Sequence, residues 1–60
     1  MSYVKLYAVL KSKGFKTNGV DVIPNENGTY DVFTHDSLFD CPFVLVMTSE
    51  CKVLSVIYNG

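Results

Sequence analysis

Pro24-Asn25-Glu26-Asn27-Gly28 separates two runs rich in β-branched and aromatic residues, Gly19 to Ile23 and Thr29 to Thr34. Proline fixes its own φ, and Asn-Gly supplies the positive φ that a tight reversal between twisted strands requires. The segment therefore predicts a β-hairpin, which commits the middle of the chain to an antiparallel sheet. The rest has little room to differ. Sixty residues hold one core, so residues 1-60 are expected to form a single domain. A chain of this size buries only about 60% of its unfolded surface. Charged residues are 18% of the chain, aromatics 13%, and the net charge is -1, which argues against intrinsic disorder. With 48% apolar residues on a body that is mostly surface, some apolar side chains must face outward.

From Tyr3 to Leu10, one alternate set is Val4, Leu6, Ala8 and Leu10 and the other is Tyr3, Lys5, Tyr7 and Val9. That period of two predicts a half-buried leading strand. Lys11-Ser12-Lys13-Gly14 breaks it with a turn. Thr34 to Glu50 admits two readings. In one, Ser37 to Asp40 resembles a capping box leading into a helix through Phe43 to Met47, with Pro42 tolerated only near the first turn. In the other, Phe43-Val44-Leu45-Val46-Met47 is a strand that pairs with Lys52 to Tyr58 through a turn at Thr48 to Cys51. Lys52 to Tyr58 is a strand in both. The fold class expected is α+β: a small antiparallel sheet of three to four strands with one short helix within about residues 35-49. Its core is expected to include Val4, Leu6, Ala8, Leu10, Val20, Val22, Val32, Val44, Met47, Val53 and Val56.

Chemistry-bearing candidates are few. His35-Asp36-Ser37 has the three residue types of a hydrolytic triad, but neighbours in a chain cannot face one another in triad geometry. Asp36 and Asp40 would share a helix face, which reads as a solvated face more readily than as an acid-base pair. Gly14, Gly19, Gly28 and Gly60 form no phosphate-cradling loop. One histidine and two cysteines without CxxC spacing give no zinc signature. No catalytic residue, metal or cofactor is expected, and the chain reads as a non-enzyme. Met1 to Lys5 has no secretory pattern, and the apolar stretch Cys41 to Met47 is far shorter than the roughly 18 residues of a membrane span. A cytoplasmic setting, no membrane and two free thiols at Cys41 and Cys51 follow as expectations.

Charge is distributed unevenly. Lys5, Lys11, Lys13 and Lys16 fall in residues 1 to 16 with no acid among them, while Asp21, Glu26, Asp31, Asp36, Asp40 and Glu50 fall between 21 and 50 with no lysine among them. The basic segment raises nucleic-acid binding, with Tyr3 and Tyr7 as stacking platforms, but the absence of arginine and the slightly negative total weigh against it. The acidic, aromatic-bearing middle suits docking on a basic groove, where charge steers the encounter and aromatics anchor it. The partner-binding residues expected on that ground are Tyr30, Asp31, Phe33, Asp36, Phe39 and Asp40. Homodimerisation through a sheet edge or the surplus apolar face is the structural alternative.

Met1 with Val4-Lys5, then Thr34, Val44, Lys52-Val53, Val56 and Gly60 are single residues by which the chain, without gaps over its full length, resembles the discriminator-of-mRNA-degradation (Dmd) antitoxins of T-even-type bacteriophages. The expected element order of leading strand, hairpin, helical segment and closing strand fits the same resemblance. It implies a phage protein in the cytoplasm of an infected bacterial host. There it would bind host endoribonuclease toxins of the RnlA/LsoA type and stop their cleavage of phage mRNA. Two departures stand out. The family's helix is rich in alanine and lysine where this chain has Asp40 to Met47, and a tryptophan of the resembled proteins is here Asp31, so no toxin contact is carried over.

Overall fold

Ser2 starts a helix instead of a strand. In the computed structural model, which describes Met1 to Gly60, α1 spans Tyr3–Ser12 and is followed by β1 (Asp21–Pro24), β2 (Tyr30–His35), β3 (Pro42–Met47) and β4 (Val53–Tyr58). The strands lie side by side in chain order, each antiparallel to the next. The α+β class with one short helix and a small antiparallel sheet is what forms. The helix, however, lies at the N-terminus in place of the expected strand, and residues 35-49, in place of the expected helix, hold the last residue of β2, a turn, all of β3 and the start of the next turn.

Local chemistry explains both corrections. Leu6 and Leu10, four apart, are fully buried, with Val9 beside them packed on the core. Val4 is 83% exposed and Ala8 is exposed, because a helix turns those positions away from Leu6 and Leu10 where a strand would not. Ser2 caps the start, its carbonyl accepting from the Leu6 N–H at 2.9 Å and its Oγ from the Lys5 N–H at 3.4 Å. Gly14, at φ +85, ends it. The Gly14 N–H donates to the Lys11 carbonyl and the Phe15 N–H reaches back to the Leu10 carbonyl at 2.9 Å, the paired bonds of a left-handed helix stop. In β3, Pro42 takes the first strand position, where a missing N–H is tolerated, and valine and phenylalanine then favour the pleated surface.

Cross-strand neighbours share a face, so the register sorts the sheet into two. Val22, Val32, Leu45 and Val56 form a row on the side covered by α1, flanked by the row Tyr30, Met47, Val53 and the row Thr34, Phe43, Tyr58. Leu6 and Leu10 pack onto Val32, Leu45, Met47 and Cys51. Of the expected core, Leu6, Leu10, Val32 and Met47 are fully buried, and Val20, Val22 and Val53 pack half-buried against them. Val4, Ala8 and Val56 are exposed and Val44 lies on the opposite face; Leu45 and Cys51 take their place. Thr34 is the one buried polar side chain, and its hydroxyl donates to the Lys16 carbonyl at 2.8 Å. Phe15, Phe43 and Tyr58 make an edge-to-face aromatic row, with centroids 5.5 and 5.4 Å apart.

The hairpin forms as expected. The Asn25 N–H donates to the Thr29 carbonyl at 2.8 Å and the Gly28 N–H to the Asn25 carbonyl at 3.2 Å, with Gly28 at φ +86. The two ends of α1 give a test that separates helix from strand. Leu10→Ala should cost about 2–5 kcal/mol as a buried truncation, while Val4→Ala should change stability by about 0.5 kcal/mol or less. Urea denaturation of both variants checks this, and equal losses would contradict the helix.

Candidate partner-binding surface

Alternation leaves the second face of the sheet without a covering layer. Its two central rows are Asp21, Phe33, Val44, Ile57 and Ile23, Asp31, Val46, Ser55. Apolar side chains from all four strands thus meet on a face carrying two carboxylates. Ile23 and Ile57, on the outer strands, are about half exposed, while Phe33, Val44 and Val46 are shielded partly by their neighbours. Asp31 is held in place: Asn25 Nδ2 donates to its Oδ1 at 2.9 Å.

Beyond the His35/Pro42 pair, the β2–β3 turn is built around Asp36. Its carboxylate accepts from the backbone N–H groups of Phe39 at 2.7 Å, Cys41 at 2.7 Å and Leu38 at 3.1 Å. Those donors, Phe39 first and then Cys41, hold the Asp36 carboxyl below its ordinary pKa, because each stabilises the charged form. The turn is also fastened to the helix stop. Ser37 donates to the Gly14 carbonyl through its N–H at 2.8 Å and its hydroxyl at 2.9 Å. Lys16 Nζ meets Asp40 Oδ1 at 2.8 Å, and that hydrogen bond, with the attraction of the lysine's charge, lowers the Asp40 pKa. Asp40 itself sits at φ 59. This bracing holds Leu38 and Phe39 out in water, 85% and 80% exposed. An apolar pair on a tied turn loses little conformational freedom on docking, which is what an anchor requires.

The six expected partner-binding residues are therefore not one cluster. Asp31 and Phe33 share the open face. Phe39 is at the turn tip. Asp36 and Asp40 serve the turn itself, one accepting backbone donors and the other pairing with Lys16. Tyr30 lies on the helix side, between Pro24 and Met47. Leu38 and the open-face residues Ile23, Val44, Val46 and Ile57 join the surface without having been among the six. Strand alternation through 43 to 47 would have found two of them. The thiols of Cys41 and Cys51 are free, and no helix is long and apolar enough to cross a membrane.

The Asp36 turn gives a pH signature. A carboxyl whose folded pKa lies below its unfolded value, near 3.8, adds stability above the unfolded pKa, and that stability disappears as pH falls through the folded one. The wild-type chain should therefore lose stability on acidification below about pH 5, and Asp36→Asn should be less stable at neutral pH with a flatter acid limb. Denaturation midpoints across that range test it; parallel profiles would remove the role given to Asp36.

No protein-family model, no curated protein and no solved structure matches this chain.

Proposed function

We propose that this protein is a phage antitoxin that binds and inhibits a host endoribonuclease toxin of the RnlA/LsoA type, protecting phage mRNA from degradation in the cytoplasm of the infected bacterium. The observation that carries the proposal is the braced turn that holds Leu38 and Phe39 in solvent, beside an uncovered apolar sheet face bearing Asp21 and Asp31. An RNase groove is basic where it receives phosphate, so carboxylates favour the encounter while an aromatic anchor supplies most of the affinity. The residue-level resemblance to the Dmd antitoxins supports the same reading. The element order adds nothing to it, since the helix precedes the sheet in this chain. Inhibition by occupancy needs no catalytic group, so the protein acts in this reading as a stoichiometric non-enzyme.

Cleavage of an RNA substrate by the purified toxin should stop when this protein is added in stoichiometric excess. Unimpeded cleavage would overturn the proposal. The double variant Leu38→Ala/Phe39→Ala should keep its fold and bind at least about 30-fold more weakly, the loss of an anchor of about 2 kcal/mol.

Direct nucleic-acid binding is the second reading, favoured by one observation. Tyr3 and Tyr7 lie exposed on α1 with ring centroids 6.0 Å apart, and Lys11 follows one turn later. Lys16 is drawn away to Asp40. A salt-sensitive gel shift that weakens in Tyr7→Ala would favour this reading, and no shift at low salt would dismiss it.

A further inference from the structure

The open face of the sheet is divided across its width. Asp21 and Asp31 lie on β1 and β2, whereas β3 and β4 contribute Val44, Val46, Ile57 and Ser55 and no carboxylate. Beyond the Val46–Ser55 pair the same face carries a cation. Met47 pairs with Val53 on the helix side, so Lys52, one residue earlier, points the other way. The Thr48 N–H donates to the Lys52 carbonyl at 2.9 Å and the Cys51 N–H to the Thr48 carbonyl at 2.9 Å, which fixes that position although it lies just outside β4. Lys52 is exposed, and the one ion pair within the chain joins Lys16 to Asp40. The Lys52 ammonium therefore has no carboxylate of its own.

Sheet faces of this kind pack about 10 Å apart with their strands nearly aligned, and charge decides how two copies can meet. A two-fold axis running across the strands would lay β1 and β2 of one copy over β1 and β2 of the other, gathering the carboxylates of both on one side. An axis running along β3 avoids this. β3 then lies over its own counterpart, and β2 lies over β4 of the other copy. Because the register runs straight across the sheet from β2 to β4, Phe33 meets Ile57 and Asp31 meets Ser55. Lys52 is the next residue on that face beyond the bulge in β4, within reach of Asp31 on its four-carbon stem. β1 overhangs the other sheet, which keeps Asp21 in water.

We infer that the open faces of two copies of this chain pack into a two-fold sandwich in which Asp31 of each copy pairs with Lys52 of the other. Val44 and Val46 stand at the axis opposite themselves, and the contact of Phe33 with Ile57 is made twice. Asp31 is already oriented by Asn25 Nδ2 on its Oδ1 at 2.9 Å, and its second oxygen is free to accept from an ammonium. An interface of this symmetry is closed, so assembly stops at two copies. Three overlapping strands cover less than the about 800 Å² per partner of a standard interface, so the dimer dissociates on dilution. The dimer covers the face that the proposed toxin contact uses, so the two compete, but it does not depend on that reading.

Sedimentation equilibrium of the purified chain at well-separated concentrations should give a mass that rises from one copy toward two. Ile57→Lys, which sets an ammonium against Phe33 of the other copy, should stay at one copy with an unchanged circular dichroism spectrum. Asp31→Lys and Lys52→Asp each bring like charges together twice and should each weaken the dimer at least about tenfold. The double variant Asp31→Lys/Lys52→Asp should restore it, which a purely intramolecular role for either residue would not do. Should Ile57→Lys unfold, the charge variants carry the test. Val4→Lys, on the outer side of α1, should dimerise like the wild type. A wild-type mass of one copy throughout would overturn the inference, as would a dimer that survives Ile57→Lys, a folded double variant that stays at one copy, or a dimer broken by Val4→Lys.

Discussion

One ten-residue helix has to cover a sheet four strands wide, and it reaches only the middle two. Leu6 and Leu10 present two large side chains one turn apart, enough to seal Val32 on β2 and Leu45 and Met47 on β3. Burying such a side chain stabilises the fold by roughly 1.5–3 kcal/mol, so a handful of contacts supplies most of what so small a core can offer. Everything lateral follows from that width. β1 and β4 are each covered on the helix side only where they adjoin the centre, Val22 and Val53 packing half-buried while Val56 and Tyr58 do not. The far face of the sheet, with no second layer, keeps its apolar rows.

Fixing the helix on the sheet falls to the turns, and each helix end is tied to a different one. At its C-terminal end, Gly14 accepts two bonds from Ser37, and Lys16 pairs with Asp40, so the helix stop and the β2–β3 turn form one unit. At its N-terminal end, buried Cys51 reaches the Ser2 carbonyl, Sγ to O 3.9 Å. Cys51 holds φ 66, a conformation glycine adopts at less cost. Glycine there would leave a gap beneath Ser2, whereas the thiol fills it as a small hydrophobe. The Thr48 hydroxyl accepts from the N–H groups of Glu50 and Lys52 and steadies that turn.

Which elements were legible depends on how distinct their spacing is. The hairpin was, because positive φ at Asn-Gly and two flanking β-branched runs leave little choice. Tyr3 to Leu10 is ambiguous for a geometric reason: a separation of four residues belongs to both the strand and the helix period, so Leu6 and Leu10 fit either. Val4 and Ala8 distinguish the two, since they join the leucines in a strand and oppose them in a helix. Only their exposure tells which applies. Phe43 to Met47 is apolar throughout and carries no period at all, so helix and strand both fit it; the strand reading that pairs it with Lys52 to Tyr58 is the one that forms, with β2 on its other side. Of the expected partner residues, Asp31 and Phe33 were readable from alternation. Asp36 and Asp40 read as free surface charge because nothing in sequence spacing announces a carboxylate that accepts from three backbone donors or one that pairs with a lysine on the far side of the hairpin.

The apolar surplus that composition announced is thus divided by the pleat itself. Along β4, Val53, Val56 and Tyr58 lie on the helix side and Ser55 and Ile57 on the other, with Leu54 the extra residue of a bulge between the two phases. One helix can cover one face of such a sheet and never both, because successive residues of a strand face opposite ways.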